Sequence, residues 1–204
     1  MRYDIDAVRG EWVGRSLGES HGRYPVEHEP IRRHCHMVGD TNPLFLDRGE
    51  AAKGPYGAVM APPTMLIMHF SSNGPWPPRE RPRSAQDAPS AAPKRPWFTS
   101  GVPTPGDRGI NMDTSWEFLR PVLVGDELRA QRSIRDVFVK AIKLDPMAVW
   151  IVTENRLFNQ RDELVAVGSN TTLVHRSPKQ IAADAAAEAP ADAVSEQAGV
   201  AVRA

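Results

Sequence analysis

The chain has 204 residues, with 25 Lys and Arg against 25 Asp and Glu, so its formal charge is zero and it lacks the electrostatic footprint of a nucleic-acid or lipid-surface binder. Hydrophobic residues make up 41%, enough for one ordinary core, and the single cysteine, Cys35, excludes an intrachain disulfide and fits a reducing, cytoplasmic setting. The opening residues MRYDIDAVRG hold no apolar segment of a secretory signal, and no run of about 18 apolar residues exists to span a membrane.

From Tyr24 to Ser72 the chain reads as mainly helical after a short strand. Glu29-Pro30-Ile31 opens a helix that tolerates Pro30 in its first turn, runs to Val38 and stops at Gly39. Asn42-Pro43 opens a second helix, Leu44 to Lys53, ended by Gly54-Pro55. Pro62-Pro63-Thr64 opens a third, whose body, Met65 to Phe70, is apolar on nearly every side, as a buried helix is. Ser71 to Gly109 then holds nine of the 19 prolines, too many for helical or alternating periodicity, and reads as a surface insertion or flap.

Asn111 to Arg176 reads as strands. Asp113 to Arg120 puts Trp116 and Phe118 on one face, and Glu127 to Ile142 alternates Leu128, Ala130 and Ile134 with polar residues. Ala148 to Phe158 and Leu164 to Val174 flank a turn at Asn159 to Asp162. Long alternating strands joined by short turns predict an antiparallel sheet with one covered face, and a buried helix before it makes the class α+β. Residues 177–204 are Ala-rich and acidic with almost no large apolar side chains, and are expected to be a disordered tail after one domain over 1–176.

The stretch Ile31-Arg32-Arg33-His34-Cys35-His36-Met37-Val38-Gly39-Asp40-Thr41-Asn42-Pro43-Leu44-Phe45, with Ala51, Gly57 and Ala61-Pro62-Pro63-Thr64, resembles the MaoC-like hydratase family, in its N-terminal-type, FAS1-like dehydratase domain. Phe118-Leu119-Arg120-Pro121-Val122-Leu123-Val124-Gly125-Asp126 resembles the R-P-x-x-x-G-D entry to that family's long strand, and Asn159-Gln160 with Glu163 to Ala166 resembles its last hairpin. The resemblance spans residues 10–176 outside the Pro-rich insertion. It implies the hot-dog fold, a long curved antiparallel sheet wrapped around one central helix, and pairing into homo- or heterodimers. It implies an acyl-CoA or acyl-carrier-protein thioester as substrate, hydrated when it is the 2-enoyl form or dehydrated when it is the 3-hydroxy form, with no other cofactor and no metal. As site residues it implies Asp40 for catalysis and Asn42, Gly57, Ala61 and Thr64 for substrate binding.

Enoyl-thioester hydration needs a base to activate water, an acid to protonate Cα, and donors for the thioester oxygen as it becomes an enolate. In competent members of the family an Asp and a His supply the first two from D-x-N-P-x-H. Asp40 keeps the first position, where the competing reading is a cap for the helix that follows. The His position holds Phe45, which exchanges no proton. At the helix start, where a Gly N–H would meet the thioester oxygen, Pro62 and Pro63 have no N–H to offer. With both losses the chain resembles the half of a paired hydratase that binds the acyl group while its mate does the chemistry. The alternatives are a non-enzymatic acyl-CoA-binding hot-dog protein and, since hydrolysis leans on the same N–H groups, less readily an acyl-CoA thioesterase.

The remaining polar residues read more plainly. His34 and His36 point about 200° apart on a helix, too far to share a metal, and read as helix surface, while Cys35 as a nucleophile lacks an activating partner beyond these histidines. His69 reads as a core histidine, with a surrogate acid as the lesser alternative. Arg32 and Arg33, and the cluster Arg79, Arg81, Arg83, Lys94 and Arg95, are candidates for CoA phosphates or a carrier protein, and Trp76 and Trp97 for packing the insertion onto a partner.

Overall fold

The computed structural model describes residues 3–22, 24–65 and 99–188. In chain order its elements are α1 (Ile5–Trp12), β1 (Ser16–His21), α2 (His28–Val38), α3 (Pro43–Leu46), α4 (Arg48–Lys53), β2 (Arg108–Phe118), β3 (Arg129–Val139), β4 (Val149–Phe158), β5 (Leu164–His175) and a C-terminal helix, here α5 (Pro178–Glu188). The strands form one antiparallel sheet in the order β1-β3-β4-β5-β2. The expected body of the third helix beyond Met65, with His69, lies outside the described residues, as do the insertion over 71–98 and the tail beyond 188.

Local chemistry accounts for the helices. The Asp4 carboxylate accepts from the Ala7 N–H at 3.0 Å and caps α1. In α2, Ile31, His34 and Cys35 are buried at spacings of three and four, the inward stripe of an amphipathic helix. Gly39 ends α2 in the left-handed conformation, at φ 71°. The expected helix from Leu44 to Lys53 is divided at Asp47. That residue ends α3 with extended backbone, and its carboxylate accepts from the N–H groups of Gly49 and Glu50 at 2.7 and 3.0 Å to start α4. Short acidic side chains compete with the continuing helix in this way.

In the sheet, β3, β4 and β5 follow the expected boundaries to within two or three residues, while β2 begins earlier, at Arg108. Val102, expected in the insertion, is fully buried, so the ordered core begins before the expected end of the insertion. Among the described residues no strand follows Tyr24 before α2; α1 and β1 lie further upstream. Extra residues interrupt each pairing, and at Arg135 the bulge brings Ile134 and Val137 to the same inner face although they are three apart.

Two apolar clusters cover opposite ends of the inner face. One packs Trp12 and Val102 with Ile134, Val137, Val149, Ile151 and Val174. The other packs Ile31, Cys35, Phe45 and Ala61 with Ala130, Leu157 and Ala166. On the outer face Phe138 and Trp150 stack with centroids 6.1 Å apart. Trp150 and Val152 are half-buried there.

The Ala-rich segment does not begin as a disordered tail. Residues 178–188 form α5, tied back by Arg176, whose Nη1 lies 2.8 Å from Asp184. Alanine is the strongest helix former, so low hydrophobicity over these residues is compatible with a helix once an ion pair anchors it.

Candidate functional site

Asp40 follows the left-handed Gly39 at the end of α2. Its N–H donates to the Cys35 carbonyl at 2.9 Å, and its Oδ1 accepts from the Asn42 N–H at 2.9 Å. It therefore closes a turn, while the cap of α3 is Asn42, whose Oδ1 accepts from the Leu44 N–H at 3.0 Å. Asp40 lines an open cleft of about 820 Å³ with Arg32, Arg33, His36, Thr41 and Leu46. Asp40 is half-buried, so the cleft gives access to it.

Phe45 lies elsewhere. It is packed in the core with Ile31, Cys35 and Ala61 and does not line the cleft. The position that resembles the family's histidine therefore supplies packing in this chain. The imidazole that shares the cleft with Asp40 is His36.

The other expected binding residues do not converge on one point. The Asn42 side chain is committed to its cap. Gly57 sits in a turn with φ 69°, where nothing approaches a would-be side chain. Ala61 is buried and donates its N–H to the Val122 carbonyl at 2.7 Å, beside the Met60–Leu123 bridge. Pro63, Thr64 and Met65 begin a helical turn, in which the Met65 N–H reaches the Pro62 carbonyl at 2.9 Å. Thr64 is exposed, and its Oγ1 is 3.2 Å from Nε2 of His34.

That contact corrects the reading of His34 as helix surface. His34 and Cys35 are both buried, and His34 links α2 to the Pro63 turn. The signal was present in the sequence as the Ile31, His34, Cys35 spacing. Burial, and then the neighbouring Asp40 carboxylate, push the Cys35 thiol above its usual range, which suppresses the thiolate a nucleophile needs. Arg32 and Arg33 both pair with Glu29, at 2.7 and 3.1 Å, on the rim of the cleft. The Arg33 hydrogen bond, against some desolvation and with Arg32 assisting, holds the Glu29 carboxyl below its usual range. Among the described residues no group of three or more His, Cys, Asp or Glu side chains is placed to hold a metal ion. No helix among them is long and apolar enough to cross a membrane.

Asp126, in the Gly-Asp entry to the long strand, is buried and structural. It accepts from the Leu123 N–H at 2.8 Å and from Gln160 Nε2 at 3.0 Å, joining two segments of the resemblance.

Residues 11–167 match the model of the family described as "FAS1-like, dehydratase domain region". A probable enoyl-CoA hydratase alpha subunit from Thermomonospora curvata is 28% identical over 164 residues, covering 76% of this chain and 47% of that protein. The chain thus spans about half the length of this curated relative. Among solved structures, the ChsH1-ChsH2 complex from Mycobacterium tuberculosis superposes with a TM-score of 0.60 at 18% identity, covering 85% of this chain and 89% of the other. A MaoC-like dehydratase superposes with a TM-score of 0.55 at 22% identity, covering 81% of this chain and 43% of that one. At such identities the superpositions establish the fold, a hot-dog sheet, while the match over well over half of the sequence establishes the kinship: the chain belongs to the family described as the FAS1-like dehydratase domain region.

Proposed function

We propose that this chain is a subunit of an enoyl-thioester hydratase, acting in the reverse direction as a 3-hydroxyacyl-thioester dehydratase, and that it is the acyl-binding half of a pair. In hydration, a base takes one proton from water, the oxygen adds to C3, and an acid delivers a proton to C2 of the enolate. Asp40 is a carboxylate in an open cleft and can hold or orient that water. Phe45 cannot complete the proton transfer, and Pro62 and Pro63 give the enolate oxygen no N–H. The observation that carries the reading is this combination of Asp40 in the cleft with Phe45 in the core. The missing functions are assigned to a second hot-dog chain. Its support is the name of the relative, an alpha subunit, and the two-chain complexes from Mycobacterium tuberculosis that share the fold. The thioester carrier is CoA or an acyl carrier protein, no further cofactor takes part, and the setting is cytoplasmic, in keeping with the single cysteine.

The same losses favour one rival, a homodimer that binds acyl-CoA without transforming it. Co-expression with a hot-dog chain bearing an intact D-x-N-P-x-H motif from the same source separates the two. A stable heteromer that hydrates crotonyl-CoA or a longer enoyl-CoA is expected. An ordinary enzymatic rate from this chain alone, or no association with any such partner, overturns the proposal.

A further inference from the structure

Between the two apolar clusters, the inner face of the sheet changes character. Along β4 the inward residues run Val149, Ile151, Thr153, Asn155, Leu157; along β5 they run Val174, Thr172, Asn170, Gly168, Ala166; along β3, Ile134, Arg132, Ala130. Apolar ends thus enclose a polar band. The register places Arg132 beside Asn155, and Thr153 beside Asn170, which in turn faces Thr114 of β2.

The band is a connected hydrogen-bonding surface. Asn111 Nδ2 donates to Thr114 Oγ1 at 3.4 Å, the Thr114 hydroxyl donates to Asn170 Oδ1 at 2.8 Å, and Asn170 Nδ2 donates to Thr172 Oγ1 at 3.3 Å. With Thr172 accepting, its own hydroxyl proton is left to donate to something else. Asn111, Arg132, Thr153, Asn170 and Thr172 line a cavity of about 530 Å³, the size of a small-molecule site.

Its charge is one-sided. None of the inward residues named is acidic, because Asp113, Asp136 and Glu154 all fall on the outer face by register. Arg132 has no ion-pair partner among the described residues, unlike its neighbour on the outer face, Arg129, which pairs with Glu19 and Asp162. A plain hydrocarbon laid over this band would strip water from amide, hydroxyl and guanidinium groups and return no hydrogen bonds. A carboxylate would receive a bidentate donor from Arg132.

We infer that the polar band of the inner sheet face binds a carboxylate, with Arg132 as its counter-ion, and that the acyl group this chain receives ends in one. The band lies one row of inward residues from Ala130, Leu157 and Ala166, the row over which α2 and the Ala61 segment pack. The second half of the inference rests on the thioester-binding reading above; the first half stands on the band alone.

The test is calorimetric binding to the full chain with three probes: glutaryl-CoA, valeryl-CoA of the same carbon count, and free glutarate. Glutaryl-CoA is expected to bind at least about tenfold more tightly than valeryl-CoA. Arg132→Gln should bring the two within about twofold and leave valeryl-CoA unchanged, while Arg132→Lys keeps part of the preference. Arg132 is exposed, so these variants are expected to fold. Equal binding of the two thioesters, or a preference that survives Arg132→Gln, overturns the inference. If neither thioester binds, the thioester reading fails, and free glutarate decides the site: Arg132-dependent binding retains it, and no binding removes it.

Discussion

Arg176 closes the sheet onto the buried carboxylate of Asp145. Its Nη2 is 2.7 Å from Asp145 Oδ1 and its backbone N–H is 2.7 Å from Oδ2, while Asp145 is wholly inaccessible. Arg176 Nε donates at 3.2 Å, and the Met147 N–H adds a fourth donor at 2.9 Å. Burial acts to raise the Asp145 carboxyl, and these hydrogen bonds outweigh it, so its pKa lies below the usual carboxylate range. Removing the carboxylate leaves a nearly buried guanidinium with only the solvent-facing Asp184 as counter-ion, and Asp145→Ala is expected to destabilise by about 2–4 kcal/mol. Urea unfolding at neutral pH measures it.

The same pair sets an acid dependence. A carboxyl whose folded pKa is depressed contributes stability above its unfolded value, near 3.9 by reference scales, and loses it as pH falls through the lower folded value. Wild type should lose more stability than Asp145→Asn between about pH 5 and pH 2. Parallel losses in the two proteins would show that the pair is not the titrating element.

Gly168 is where β5 lets Trp116 lie across the sheet. A Cβ at 168 would meet the indole at 2.7 Å. The ring is held between Phe118, stacked at 6.3 Å, and the core around Leu157 and Ala166, so it has little room to yield. Gly168→Ala should cost about 1–3 kcal/mol by overpacking. In a double-mutant cycle Trp116→Leu should recover much of that loss, whereas strict additivity would locate the glycine's role in the backbone.

How much of this was legible follows from the physics of each element. Gly39 after Val38 and the strands β3 to β5 were readable because a C-cap glycine and period-two alternation are local signals. The split at Asp47 was not, because one carboxylate there serves as the end of α3 and the start of α4. The bulge at Arg135 hides from alternation, since it changes the phase of the pattern without changing its composition. The polar band was written in the sequence as Thr153 and Asn155, and as Gly168, Asn170 and Thr172. Only the register shows that these residues share one face with Arg132. At the candidate site, Asp40 and Phe45 were identifiable as types; that one lines a cleft and the other fills the core required the fold.

Thr64 and His34 give a test of how the Pro63 turn is held. The imidazole is buried, and Thr64 Oγ1, 3.2 Å from its Nε2, is its partner. Thr64→Val keeps the shape and removes the hydroxyl, leaving a buried ring nitrogen unsatisfied, and should cost about 1–3 kcal/mol. Thr64→Ser should cost less than half as much. If the Val variant is as stable as wild type, water satisfies His34 and the contact does not anchor the turn.

The last expectation concerns Asp40. Its Oδ1 is engaged by the Asn42 N–H, and asparagine at position 40 can keep that acceptor while losing the charge. The fold of the turn should therefore survive Asp40→Asn, and any loss of activity reports on the charge itself. With Phe45 in the core and prolines at the helix start, the proton transfer is assigned to the partner chain. In a reconstituted heteromer, Asp40→Asn should then lower turnover by less than about tenfold, a barrier change under about 1.4 kcal/mol. Substituting the acid or the histidine of the partner's motif should abolish turnover. The carboxylate's residual contribution would be to order the attacking water, so the loss should fall on kcat more than on KM. A loss of several orders of magnitude from Asp40→Asn, with the heteromer still assembled, would place the base in this chain. Asp40 and His36, which line the same cleft, would then be the pair to pursue, and the assignment of this subunit to acyl binding alone would have to be given up.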